Sequence, residues 1–66
     1  MQILVNGKPR EVSEGASLRE LLTALDLHER PIAVEVNLEV VPRAAQANVT
    51  LAPGDQVEVV TLVGGG

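Results

Sequence analysis

The sequence opens Met1-Gln2-Ile3-Leu4-Val5-Asn6-Gly7-Lys8-Pro9-Arg10-Glu11-Val12, and this stretch reads as a β-hairpin. With the strand period of two, Met1, Ile3 and Val5 share one face. Asn6-Gly7 is the favoured pair for a two-residue type I′ turn, whose central positions both require positive φ. Lys8–Val12 is then the return strand. Pro9 has no N–H to give to a ladder, so this strand belongs at a sheet edge.

Working outward, Ser13-Glu14-Gly15-Ala16 is a loop by composition. Ser17-Leu18-Arg19-Glu20 matches a capping box, in which the Ser17 hydroxyl accepts from the Glu20 amide and the Glu20 carboxylate accepts from the Ser17 amide. Leu18, Leu21, Leu22 and Leu25 follow at i, i+3, i+4 and i+7, one helical stripe. Pro31 closes this region, because a proline disfavours helix in the residue before it. The spacing predicts one helix over about residues 18–27.

Ile32-Ala33-Val34-Glu35-Val36 alternates as a strand with Ile32, Val34 and Val36 inward, Asn37-Leu38 turns, and Glu39-Val40-Val41 gives a short strand before Pro42. Residues 43–50 favour helix by their Ala and Gln content but are too short for more than a turn or two. Pro53-Gly54-Asp55 signals a turn, and Gln56–Leu62 is the final strand, with Val57 and Val59 on the core side. The order describes an α+β domain over residues 1–62, with one main helix and a mixed sheet of four to five strands. If the first and last strands lie side by side in the middle of that sheet, the arrangement is a β-grasp, the ubiquitin-like fold.

Composition narrows the function classes. A single domain of 66 residues with no cysteine has neither disulfides nor thiolate metal sites to hold it together. Its core is aliphatic, drawn from eleven Val, nine Leu, two Ile and seven Ala, with no Phe, Tyr or Trp. Without aromatics there is no platform for base stacking. A net charge of −4 and scattered Lys8, Arg10, Arg19, Arg30 and Arg43 also argue against nucleic acid as a partner. No apolar run approaches the roughly 20 residues of a membrane span, and the N-terminal residues given show no basic-then-apolar signal pattern. The expected location is the cytoplasm. An enzyme is poorly served by one histidine, His28, no Cys and no Tyr, and His28 is expected as a solvated residue beyond the helix. No metal-loop spacing and no phosphate-cradling glycine loop is present, so no cofactor is expected on the chain itself.

Leu62-Val63-Gly64-Gly65-Gly66 ends the sequence with three of its six glycines. Residues 63–66 are expected to form a flexible tail. A frayed end is one reading of it. The other rests on the missing Cβ, which lets glycine pass through a narrow channel and adopt dihedrals closed to other residues. Four residues beyond Leu62 reach about 13–14 Å when extended, enough to carry the carboxylate of Gly66 into another protein's active site. That carboxylate, titrating at about 3.3–3.7 in free peptides, is ionised at neutral pH and needs activation before it reacts as an acyl donor. Attack on the α-phosphate of ATP is one route, and ATP would be bound by a partner. Affinity must then come from the folded body, and Leu4, Val60 and Leu62 are the candidates for an apolar docking patch on the sheet face away from the helix.

The chain resembles the ThiS family of sulfur carriers of thiamine thiazole biosynthesis along essentially its whole length. The resemblance is carried by Met1–Gly7, the Ser17–Leu25 helix, Val36-Asn37 with Val41-Pro42-Arg43, Gly54-Asp55-Gln56-Val57 and the terminal Gly65-Gly66. It implies a β-grasp fold and a cycle run by partner enzymes. A ThiF-like adenylyltransferase would use ATP to adenylate Gly66, and a cysteine desulfurase persulfide would supply sulfur for a thiocarboxylate. A ThiG-like thiazole synthase would accept that sulfur. Gly65 matches the other family glycine, while Gly64 adds slack. Related alternatives are a MoaD-like small subunit of molybdopterin synthase and a ubiquitin-like modifier or interaction module.

Overall fold

In the computed structural model, which describes residues 1–62, both chain reversals between neighbouring strands are built on asparagine. β1 (Gln2–Val5) turns through Asn6 and Gly7, at φ 50° and 81°, into β2 (Lys8–Glu11). β3 (Ile32–Val36) turns through Asn37 and Leu38, at φ 51° and 68°, into β4 (Glu39–Val40). Both turns thus have positive φ at their two central positions, the requirement that Asn meets at low cost.

With β5 (Gln56–Thr61) the sheet has five strands in the order β2-β1-β5-β3-β4. β1 and β5 run parallel, with Leu4 opposite Gln56 and Val5 opposite Val57, and every other pairing is antiparallel. The first and last strands do lie adjacent near the middle, and the fold is a β-grasp. Pro9 sits on edge strand β2, opposite Leu4, where its missing N–H costs no ladder bond.

Helix α1 (Leu18–Ala24) starts at the capping box: the Ser17 hydroxyl accepts from the Glu20 amide at 3.1 Å, and Glu20 Oε1 accepts from the Ser17 amide at 3.2 Å. It ends three residues before the expected Leu27. Asp26 takes φ 63°, the Leu27 amide donates back to the Leu22 carbonyl and the Asp26 amide to the Thr23 carbonyl. These two bonds form a Schellman ending, with aspartate where glycine is usual. Leu27 thereby folds back onto the core instead of extending the helical stripe.

Leu18, Leu21 and Leu22 from the helix pack on Ile3, Val34, Val57 and Val59 from the sheet, with Leu51 closing the same cluster. Residues Arg43–Asn48 form a 3-10 helix that buries Gln46. No helix among the described residues is long and apolar enough to cross a membrane.

Candidate functional site

The outer face of the sheet and the exit of β5 are where the expected docking residues fall. Alternation along β5 sends Val57 and Val59 into the core and Gln56, Glu58 and Val60 outward. Val60 is opposite Ala33 and is 57% exposed, and Leu62 just beyond is 50% exposed. Leu4 faces the same side but is half-buried between Gln56 and Pro9. Its row lies about 13 Å down the strand from Val60, at about 3.3 Å per residue. Glu58 stands between them. The structure therefore brings Val60 and Leu62 together and sets Leu4 apart.

Two features of this face were not visible in the sequence. Val40, 72% exposed, joins it because β4 pairs Val40 with Glu35. Glu35 is in turn directly opposite Glu58, so two carboxylates face each other on neighbouring strands. Among the described residues the one ion pair joins the Met1 ammonium to Glu11 at 3.5 Å, leaving Glu35 and Glu58 without a cation. Strand register was the missing signal, since 23 positions separate the two glutamates in sequence.

β5 is fixed at its exit by one rung beyond the strand: the Leu62 amide donates to the Pro31 carbonyl at 2.8 Å. The loop before Pro31 is held by Arg43, whose Nη1 donates to the His28 carbonyl at 2.6 Å and Nη2 to the Arg30 carbonyl at 3.0 Å. His28 is not the solvated residue expected; it is half-buried, and its Nδ1 is buried without a hydrogen-bond partner among the described residues. The early turn at Asp26 explains this, because it folds the chain after α1 back against the body. Residues 63–66, expected as a flexible tail in which Gly66 carries the reacting carboxyl and Gly64 and Gly65 thread a channel, lie outside the described residues.

A groove of about 310 Å³ runs between β2 and α1, lined by Arg10, Glu11, Val12, Ser13, Ala16, Glu20, Leu21 and Ala24. Its polar groups are two carboxylates, a guanidinium and a hydroxyl, with no imidazole near the hydroxyl to activate it. Among the described residues no three His, Cys, Asp or Glu side chains gather as metal ligands.

The family model of the ThiS family matches residues 3–66. The chain belongs to the ThiS family. The sulfur carrier protein ThiS of Escherichia coli K12 is 33% identical over 66 residues, the whole of both chains. A thiazole synthase from Paramagnetospirillum magneticum is 39% identical over the same 66 residues, and the chain spans only 20% of that protein's length. Among solved structures, the thiamine biosynthesis protein ThiS of Geobacter metallireducens superposes with a TM-score of 0.85 at 40% identity, covering all of both chains. The ThiS match thus takes in the Asn37 turn, Arg43 and the C-terminal glycines together.

Proposed function

We propose that this protein is a sulfur carrier for thiamine thiazole formation, acted on by partner enzymes and not itself a catalyst. The whole-length match to a ThiS sulfur carrier carries this reading. In the proposed cycle a carboxylate oxygen of Gly66 attacks the α-phosphorus of ATP on a ThiF-like adenylyltransferase, and pyrophosphate leaves. The terminal sulfur of a cysteine desulfurase persulfide then attacks the acyl carbon and displaces AMP. A thiol reductant cleaves the resulting acyl disulfide, leaving the thiocarboxylate, whose sulfur a thiazole synthase takes up.

The folded body contributes position. Leu62 is held by its amide's bond to the Pro31 carbonyl at the end of β5, and its side chain and that of Val60 are exposed on the outer face. A partner that covers those side chains also receives Gly64-Gly65-Gly66, because no more than about 14 Å of extended chain separates the two. The thiazole synthase match supports that enzyme as the acceptor.

Incubation with a ThiF-like enzyme, ATP and a persulfide-bearing desulfurase, followed by intact mass, tests the reading. Exchange of one oxygen for one sulfur at the C-terminus is expected, and deletion of Gly66 should abolish it without moving the thermal midpoint. An unchanged mass, or a ladder of conjugates on lysine, would overturn the carrier reading. Sulfur transfer to molybdopterin synthase in preference to thiazole synthase would move the protein to the other pathway.

A further inference from the structure

We infer that Arg43 is a positioning residue for the exit of the C-terminal segment. The inference rests on the carrier reading for its purpose, but its geometry stands independently. One guanidinium spans two carbonyls two residues apart, His28 at 2.6 Å and Arg30 at 3.0 Å. A planar fork with divergent N–H groups does this in a single rotamer, whereas an ammonium on a flexible stem bonds one carbonyl well or two poorly. The residue after Arg30 is Pro31, whose ring fixes φ, so the position of its carbonyl carbon follows from the Arg30–Pro31 peptide plane, and the oxygen of that plane is the one Arg43 holds. That carbonyl accepts from Leu62, the last backbone bond on β5 among the described residues. Arg43 is thus two links from the point where the tail departs.

The anchor at the other end is firm. Arg43 begins the 3-10 helix directly after Val41 and Pro42, and the Val41 amide donates to the Val34 carbonyl at 2.9 Å. Val34 is a core residue of β3, the strand that also pairs with Thr61 through Ile32. The guanidinium therefore ties the loop to the sheet it precedes and sets the last rung against that sheet. Arg43 itself is exposed, so water replaces its bonds readily when it is removed, and the body keeps its core. What changes is local: the His28–Pro31 loop loosens, and with it the last rung at Leu62, from which the chain continues.

Arg43→Ala, Arg43→Gln and Arg43→Lys test the assignment. Amide hydrogen exchange is read at Leu62 and, as an internal control, at Asn6, whose amide donates to Val57 on the other side of β5. Exchange at Leu62 should rise about tenfold in the Ala and Gln variants and less in the Lys variant, with Asn6 unchanged. Equal acceleration at both amides, or at neither, would overturn the assignment. In adenylation by the partner enzyme, kcat should fall about tenfold with KM for the carrier unchanged, since the docking face is intact while the carboxyl arrives misdirected. Wild-type kcat, or a rise in KM alone, would make Arg43 a plain structural or docking residue. If the wild-type protein is never loaded, the carrier reading fails, and the exchange comparison still judges Arg43.

Discussion

The side-chain amide of Asn6 brackets the backbone of Val59: its Oδ1 accepts from the Val59 amide at 2.8 Å and its Nδ2 donates to the Val59 carbonyl at 3.2 Å. Beyond Val5 the main chain of β1 turns away, and the asparagine continues the parallel pairing with β5 in its place. Asn37 does similar work from the other turn, accepting from the Gln56 amide and donating to Asp55. Both hairpin turns are therefore fastened to the strand that leads to the tail.

Asn6→Gly keeps the left-handed backbone and removes the bracket. Two hydrogen bonds at roughly 1 kcal/mol each predict a loss of about 2 kcal/mol in urea unfolding. For a domain whose core supplies only about 3–5 kcal/mol, that is a large share. A loss under about 0.5 kcal/mol would mean that water serves Val59 equally well.

Leu38 occupies a turn position at φ 68° with its side chain 82% exposed, so it has the strain of that conformation with little burial in return. Leu38→Gly removes a strain of about 1–2 kcal/mol. It adds back roughly 0.5–1 kcal/mol through the greater freedom of glycine in the unfolded chain. A net gain of about 0.5 kcal/mol in unfolding free energy is expected, read as a higher urea midpoint at unchanged slope.

Glu58→Gln removes one of two like charges held directly opposite. Stability should rise by about 0.5 kcal/mol in low salt. The difference from wild type should shrink as salt is added, because Glu58 is exposed and Glu35 only half-buried, so ions screen their repulsion. Equal midpoints at every ionic strength would show that the two side chains swing apart.

Val60→Thr puts a hydroxyl on the outer face and keeps the β-branched shape that suits a strand. The thermal midpoint should move by only about 2 °C, the effect expected of an exposed substitution. Affinity for thiazole synthase, measured by calorimetry, should fall about tenfold if the face docks as proposed. Unchanged affinity would place docking elsewhere.

The hairpin, the helix start and the inward faces of β1, β3 and β5 were legible because each is a local pattern of residues. The helix end was not. Asp26 replaces the glycine that usually marks a Schellman ending, and Leu25 and Leu27 keep the stretch apolar past the break. The 3-10 helix at Arg43–Asn48 was legible only as a turn or two, since its six residues carry no period. The outer face joins strands far apart in sequence, so Val60 and Leu62 could be named while the Glu35–Glu58 pair and Val40 could not. The family-like Val36-Asn37 and Val41-Pro42-Arg43 stretches acquire physical reasons only in three dimensions: Asn37 fastens a turn to β5, and Arg43 braces a loop.

The placement of β5 between β1 and β3 has a mechanical consequence. A partner that draws the C-terminal segment into a channel pulls along the axis of a strand bonded on both sides. Such a pull loads the rungs to β1 and β3 in shear, so they resist together. At an edge of the sheet the same force could peel a strand away one rung at a time. Under such a load the rungs of β5 would have to break together and not in succession.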